Sequence, residues 1–190
     1  MRDEPQLKQR TYGRRAGRHG GFTLIELTVV AALIVLMAAM AAPSFIAWHV
    51  RDRVDAAAGA LLASLSYARS EAIRRGERVI VCRTEADGQC RDVRGTVDWA
   101  SGWAVVAVDE RARRTVLRRQ LRAAAVGIRG TAAEIKFTPP AGQVIGGFRS
   151  FEVAPEGVAP PAGAHDPRRC IAIAAGGRAR IGEGACRKGV

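Results

Sequence analysis

The sequence contains few of the features that support catalysis. It has only three histidines among 190 residues, and they are scattered along the chain. A Walker A loop, a Gly-x-Ser-x-Gly motif and a Cys-x-x-Cys spacing are all missing, so the usual signatures of nucleotide, serine-hydrolase and zinc sites are not met. The carboxylates show no paired arrangement typical of acid–base chemistry. We therefore expect a protein that is not an enzyme and that needs no metal and no other cofactor.

Acidic residues are scarce. Lys and Arg number 30 against 18 Asp and Glu, which gives a formal net charge of +12 and a pI near 11. Such a surplus favours polyanions, such as nucleic acid or anionic lipid, as partners. Part of the surplus precedes Gly21, but the remainder is still strongly basic. The length suits one globular domain of moderate core with an appendage.

One long apolar run, residues 22–42, follows the basic N-terminal stretch. As a helix it spans roughly 30 Å, the thickness of a bilayer core. Basic residues before it predict a cytoplasmic N-terminus, so the chain after Pro43 is expected on the far side of the membrane, with a single pass. A cleavable secretory signal is the alternative, but its apolar region is normally shorter and uncharged.

Glu26 interrupts the apolar run near its start. A carboxylate in a bilayer costs on the order of 2.5 to 3.5 kcal/mol even on lenient scales, so it is expected to be paired or functional. The residues around it are Gly21, then Phe22-Thr23-Leu24-Ile25-Glu26-Leu27. This contiguous run behind a basic leader resembles the hallmark of the type IV prepilin family.

The prepilin resemblance has several implications. It implies that residues 1–21 are a leader cleaved after Gly21 by a membrane prepilin peptidase, and that Phe22 is then N-methylated. It implies that Glu26 pairs with an N-terminal amine during filament assembly, and that the partners are other minor and major pilins. The resemblance also implies that the protein lies first in the inner membrane, with its C-terminal domain in the periplasm, and later in a pilus or pseudopilus at the cell surface.

Helical periodicity continues beyond Pro43. Apolar residues recur at steps of three and four, namely at Val54, Ala57, Ala58, Leu61, Leu65, Ala68, Ala72 and Ile73. Charged residues, including Asp55, Arg69 and Glu71, largely take other faces. The pattern predicts one long helix from Phe22 to about Arg75, loosened or kinked at Pro43 and stopped by Gly76. Residues 22–42 are its membrane half, and residues 43–76 form an amphipathic half that packs on a globular domain.

Residues 77–190 change to short runs of strand character separated by turn residues. The predicted strands are Arg78–Cys82, Gly102–Val108, Thr115–Leu121, Ala133–Phe137, Phe148–Val153 and Cys170–Ala174. An antiparallel arrangement laid against the amphipathic helix is the economical solution, which gives an α+β fold. The Pro- and Gly-rich stretch 154–167 is expected to be an exposed loop.

Two further stretches, 60–82 and 99–110, narrow the family. They resemble the general secretion pathway H and FimT group of minor pilins and pseudopilins, in which an Ala-Arg-Ser-Glu-Ala helix leads into a strand ending in Cys and a Trp-Gly-Trp strand follows. The resemblance implies the type IV pilin fold. We expect Trp99, Trp103 and Ala68 to be core residues and not to form a site.

The four cysteines are Cys82, Cys90, Cys170 and Cys186. In an exported chain an even count suggests disulfides. Pairing of sequence neighbours is the simplest of three connectivities, and the sequence leaves the others open. A zinc site is the rival interpretation, but the spacing does not favour it.

The C-terminal stretch predicts a hairpin in which Gly176 and Gly177 allow a tight turn. Arg178 and Arg180 are then expected on one face, about 7 Å apart, and Gly177 is expected to let backbone N–H groups approach an anion. Gly177-Arg178-Ala179-Arg180 also resembles the Gly-Arg-x-Arg element of FimT-type minor pilins, which contacts DNA. The other cations of the predicted patch are Arg168, Arg169, Arg187 and Lys188.

Two functions remain open at this point. The first is a minor pilin at a pilus tip that binds DNA without sequence preference during natural transformation. The second is an H-type minor pseudopilin, a structural tip subunit of type II secretion. Another basic run, 109–122, is either a solvated hairpin or an auxiliary patch, and the solvated hairpin is the simpler interpretation.

Overall fold

The computed structural model describes residues 21–85, 89–90, 97–121, 124–157 and 166–187, except for the side chains of 41–43. Within these ranges the chain forms one helix followed by ten strands. The elements are α1 (Leu24–Arg75), β1 (Arg78–Arg83), β2 (Val97–Asp98), β3 (Gly102–Val108), β4 (Arg114–Leu121), β5 (Val126–Gly130), β6 (Glu134–Thr138), β7 (Gln143–Val144), β8 (Arg149–Pro155), β9 (Arg169–Ile173) and β10 (Ala179–Glu183). The chain divides into two compact units, Met1–Pro43 and Ser44–Val190.

The first unit contains the apolar start of α1, whose large side chains, such as Leu24 and Met40, are exposed. Among the described residues no single helix is long and apolar enough to cross a membrane. The segments Leu24–Met40 and Ser44–Arg75 satisfy that requirement only when taken together, by length and composition.

The second part of α1 packs on the globular domain through the face that the periodicity predicts. Its buried residues are Val54, Ala57, Ala58, Leu61, Leu65, Ala68 and Ala72. Two predicted positions were wrong, those of Ile73 on the buried face and of Glu71 on another face. Ile73 is 46% exposed, whereas Glu71 is only 8% exposed, because Arg74 and Arg75 fold back to donate hydrogen bonds to its carboxylate.

The end of α1 matches the prediction. The helix stops at Arg75, and Gly76 adopts a left-handed conformation with φ of 68°, which a residue without a Cβ tolerates. The amide of Gly76 donates the last hydrogen bond of this turn to the carbonyl of Ala72, at 3.2 Å.

The first sheet has the strand order β4-β3-β1-β6-β7, and its pairs are antiparallel. The predicted strands correspond to β1, β3, β4 and β6 within one residue at most boundaries. The face of this sheet that carries Trp103, Val105 and Ala107 packs on α1 in the main core. The opposite face carries a smaller buried cluster that contains Ile80, Cys82, Ala104 and Val106.

The second sheet has the order β10-β9-β8-β5-β2, also with antiparallel pairs. The sequence did not predict β5, whose two glycines weaken its strand signal, or the two-residue strands β2 and β7. The predicted loop 154–167 was wrong at its start, because Ala154 and Pro155 complete β8 against Gly127 and Val126. Residues 158–165 of that loop lie outside the described ranges.

The core joins α1 to both sheets in one cluster. Trp99 and Trp103 are buried, as predicted. The rings of Trp99 and Phe151 meet edge to face with centroids 4.9 Å apart, and the indole of Trp99 donates a hydrogen bond to the carbonyl of Ala132 at 2.9 Å. Gly130 lies beneath both rings, because a Cβ there would approach each of them to 2.8 Å. This aromatic pair fixes the second sheet on the core.

Candidate nucleic-acid interface

The C-terminal hairpin is built by β9 and β10, with Ala179 opposite Ile173 and Glu183 opposite Arg169. Its turn is closed by a hydrogen bond from the amide of Gly177 to the carbonyl of Ala174, at 2.8 Å. Gly177 has φ of 76°, the left-handed conformation expected at the last position of a three-residue hairpin loop. The predicted hairpin is therefore present.

The hairpin turn is packed against the first sheet. The amide of Val144 donates to the carbonyl of Ala175 at 2.9 Å, and a Cβ at Gly177 would overlap the carbonyl oxygen of Gly142. Gly177 is buried and its N–H is used within the turn. The N–H of Gly177 itself is therefore not available to an anion, and the glycine allows close packing of the turn. The approach of an anion to neighbouring backbone N–H groups stays a prediction.

Arg178 and Arg180 are both exposed. Neither guanidinium has a hydrogen-bond or ion-pair partner in the part of the chain that the structure describes. They do not line the same depression, however. Arg178 precedes β10 and lines a depression of about 220 Å³ together with Ser66, Arg69 and Ser70 of α1.

Arg180 lines a second depression, of about 330 Å³, whose wall also contains Arg187, Ser150 and the disulfide partners Cys170 and Cys186. Arg178 and Arg180 thus line different depressions, and their predicted position on one face stays a prediction. Arg180 lies beside Arg187, which is also exposed.

Arg168 and Arg169 are engaged in ion pairs. Arg168 binds Asp166 with two nitrogens, Nε to Oδ1 at 2.9 Å and Nη2 to Oδ2 at 2.7 Å, and this carboxylate raises the pKa of the guanidinium. Arg169 binds Asp55 of α1, with Nε 2.6 Å from Oδ1 and Nη2 3.2 Å from Oδ2. Both arginines therefore already have an ionic partner, and their predicted role as phosphate ligands stays a prediction. Lys188 lies outside the described residues.

All four cysteines are paired as sequence neighbours, Cys82 with Cys90 and Cys170 with Cys186. The second disulfide ties the chain that leaves β10 back to β9. The amide of Cys186 also donates to Glu152 of β8, at 3.2 Å. These links hold Arg187 next to the hairpin.

Sequence reasoning missed Arg69, which lies beneath the hairpin turn. Its Nη2 donates to the carbonyl of Ala141 at 3.3 Å, and its Cγ would lie 2.7 Å from a Cβ at Gly142. The spacing of Ser66, Arg69 and Ser70 along one helix face was the available signal. What that face meets depends on a long-range contact, which the helical period does not specify.

Comparison with protein families gives a match to the model "Type II transport protein GspH" over residues 57–177, more than half of the chain. The chain belongs to the GspH family. Among curated proteins none matches the sequence. The family match ends at Gly177, so Arg178, Arg180 and Arg187 of this GspH-family protein lie beyond it.

Two solved structures are similar to this GspH-family protein. Both are crystal structures of the type IV minor pilin FimU from Pseudomonas aeruginosa strain PAO1. One, in space group P65, is 21% identical with a TM-score of 0.50, and the match covers 67% of this chain and 91% of FimU. The other, in space group P21, is 21% identical with a TM-score of 0.52 and covers 71% and 90%. The fold is that of a type IV minor pilin, and membership of this family implies assembly with other pilins in a pilus or pseudopilus.

The N-terminal motif of the GspH-family protein has a local structural role. The hydroxyl of Thr23 accepts a hydrogen bond from the amide of Glu26 at 3.3 Å, and the carbonyl of Thr23 accepts one from Leu27 at 3.1 Å. Thr23 is therefore the N-cap of α1, and Thr-x-x-Glu is the capping-box pattern that identifies such a cap from sequence. Glu26 also lies in the first turn, where the helix dipole favours a carboxylate.

Proposed function

We propose that this GspH-family protein is a minor pilin at a pilus tip, which binds the backbone of duplex DNA during uptake in natural transformation. The observation that carries the proposal is the group of exposed guanidinium groups around the C-terminal hairpin. Arg178, Arg180 and Arg187 have no ionic partner within the described residues, whereas the neighbouring Arg168 and Arg169 do.

The mode of binding follows from the kinds of residue present. Residues 166–187 contain no Phe, Tyr or Trp, so stacking on unpaired bases is not available in this segment. Guanidinium groups facing phosphates position a protein on a duplex without reading its sequence. The packed turn at Gly177 and the Cys170–Cys186 link pre-organise the hairpin, which lowers the entropy cost of binding.

The test is a titration of a labelled duplex with residues 44–190. Every buried core residue of the described chain lies in this segment, which is also a compact unit, so it is a suitable soluble form. We expect a Kd on the order of micromolar that weakens steeply with salt, since each phosphate contact adds about 0.9 to the slope of log K against log salt.

The double variant Arg178→Ala with Arg180→Ala should bind at least about tenfold more weakly, with a salt slope smaller by about 2. Arg51→Ala with Arg53→Ala removes the same charge from α1 and serves as the matched control. If both double variants lose affinity equally, the hairpin is not a specific interface and only bulk charge matters.

A second candidate function is a structural tip subunit of a type II secretion pseudopilus. The description of the matching family, a type II transport protein, favours it. This role uses α1 and protein surfaces, and it needs no free arginines. Absent or salt-insensitive DNA binding by the unmutated segment 44–190 would select this function and reject the first.

We also propose that the protein matures as a prepilin and is anchored in the inner membrane before assembly. Cleavage after Gly21 by prepilin peptidase exposes Phe22, which is N-methylated, and Glu26 neutralises the new amine of a neighbouring subunit within the apolar filament core. Mass spectrometry of the mature protein should find Phe22 as a methylated N-terminus. Glu26→Ala should abolish incorporation into filaments, whereas the exposed Asp52→Ala should not; any other N-terminus rejects this processing.

A further inference from the structure

A second group of free arginines lies on β4, far along the chain from the C-terminal hairpin. β4 is the outermost strand of the first sheet and pairs there with β3. Its arginines Arg114, Arg118 and Arg119 are exposed, and their guanidinium groups have no hydrogen-bond or ion-pair partner among the residues described. β4 itself contains no acidic residue.

In the turn before β4, the described carboxylate that pairs with an arginine is that of Asp109, and its partner is Arg113. Asp109 accepts a hydrogen bond from the Nε of Arg113 at 2.7 Å and one from its amide at 2.8 Å. Hydrogen bonds from Arg113 lower the pKa of this carboxyl, so it stays charged and committed to Arg113. The arginines of β4 are left without that counterion.

A β-bulge directs two of these arginines to the same face. Val106 lies opposite Val116 and Val105 opposite Arg118, which leaves Leu117 as an extra residue. Residues five positions apart in a regular strand point to opposite faces, but one bulged residue restores the match. Arg114 and Arg119 therefore both take the face that turns away from α1.

The register supports this assignment. Arg119 is opposite Ala104, which belongs to the smaller buried cluster on the face away from α1, and Arg114 is opposite Val108, which packs against that cluster. The two partners are four positions apart on β3, so the arginine backbones are roughly 13 Å apart at about 3.3 Å per residue. This is close to the width of the DNA major groove, about 12 Å.

Other residues of this face add positive charge. Arg78 lies opposite Val108 and is exposed. Lys136 of β6 lies opposite Ile80 of β1. The described carboxylate on this face is Glu134, which forms an ion pair with Lys136. The face is thus strongly basic with a small, apolar centre.

We propose that this face of the first sheet, defined by Arg78, Arg114 and Arg119, is a second binding surface for the phosphate backbone of duplex DNA. The proposal rests on the proposed DNA-binding function and extends it. The C-terminal hairpin turn contacts Val144 of β7, at the edge of the first sheet opposite β4. The two surfaces are therefore separate, and their contributions to binding are independent.

The experiment is a duplex titration of residues 44–190 carrying Arg114→Ala with Arg119→Ala. We expect affinity about tenfold lower at low salt and a salt slope smaller by about 2. The loss should add to that of Arg178→Ala with Arg180→Ala, because distant sites are additive. Arg51→Ala with Arg53→Ala is the charge-matched control, and Arg114→Lys with Arg119→Lys should retain most of the binding. The thermal unfolding midpoint should not change, since neither guanidinium has a partner.

The outcomes separate this proposal from the hairpin site. Loss of binding in the hairpin variant with parental binding in the β4 variant overturns this proposal and leaves the proposed function intact. Weakened binding in the β4 variant alone upholds this surface and rejects the hairpin. No binding by the parent rejects both. Vesicles of phosphatidylglycerol provide a further arm: a β4 variant that loses vesicle binding and keeps DNA binding assigns the surface to lipid and overturns the proposal.

Discussion

A Cβ atom at Gly177 would overlap the carbonyl oxygen of Gly142, so the turn of the C-terminal hairpin packs directly on the loop between β6 and β7. Gly142 is itself left-handed, with φ of 65°, and it lies against the side chains of Arg69 and Ile73. The backbones of the loop and the turn are in contact here, and α1 contacts the loop through the side chains of Arg69 and Ile73. The position of Arg178 depends on this contact.

Gly177→Ala should lower the free energy of unfolding by about 2 kcal/mol or more. Left-handed φ costs an alanine roughly 1 to 2 kcal/mol, and the new methyl group displaces the turn in addition. Chemical denaturation of residues 44–190 measures the change. Gly176→Ala is the control, because a Cβ there meets nothing within 4 Å, and its effect should stay within about 0.5 kcal/mol. Equal effects at both positions would contradict the packing role.

Arg169→Ala should reduce stability without reducing DNA affinity. The ion pair of Arg169 with Asp55 joins β9 to α1, and a partly exposed pair contributes on the order of 1 kcal/mol. Asp55→Ala should cost about the same, and the double variant should cost less than the sum, because both substitutions remove one interaction. A duplex titration against Arg53→Ala completes the test: if Arg169→Ala weakens binding as strongly as Arg180→Ala, Arg169 is a phosphate ligand after all.

Glu71 should make stability depend on pH. Hydrogen bonds from Arg74 and then from Arg75 lower its pKa from 4.5 to about 2. Because the folded-state value is depressed, the stabilisation is fully present above about pH 4.5 and is lost as the pH falls towards about 2. The difference in melting temperature between the parent and Glu71→Gln should therefore shrink over this interval. In a background with Arg74→Ala and Arg75→Ala this shrinkage should disappear; if it persists there, the effect belongs to other groups.

Replacing Cys170 and Cys186 with serine should destabilise the domain by about 3 kcal/mol, as expected from the chain entropy of a loop with a sequence separation of 16. It should also weaken DNA binding, because Arg187 is no longer held beside Arg180. The corresponding change at Cys82 and Cys90, with a separation of 8, should cost slightly less, about 2.5 kcal/mol, and leave unchanged the effect of Arg180→Ala on binding. Equal loss of binding in both variants would indicate global unfolding.

The sequence predicts the fold well in segments whose apolar residues follow one clear pattern along the chain. The apolar steps from Val54 to Ala72 define the buried face of α1, and the run of apolar residues in β3 gives its boundaries correctly. Prediction failed for β5, because its glycines hide the alternation of Val126 and Ile128. Those two residues are buried in the main core, and their strand pairs with β8, which follows more than twenty positions later.

The candidate site was predicted less completely. Residue type and local spacing identified Arg178 and Arg180, but they could not reveal which arginines find a carboxylate. Asp55 is more than one hundred positions from Arg169, so that pairing follows only from the docking of β9 on α1. The bulge at Leu117 is likewise invisible in the sequence, because it is defined by the register with β3.

The place of β10 at the margin of its sheet separates packing from binding. Ala179 packs against the main core, while the other residues of β10 are exposed and lie outside the matched range 57–177. Because these side chains contribute little to the core, exchanging them is expected to leave the scaffold largely unaltered. The last strand can thus be redesigned for a different ligand without rebuilding the domain beneath it.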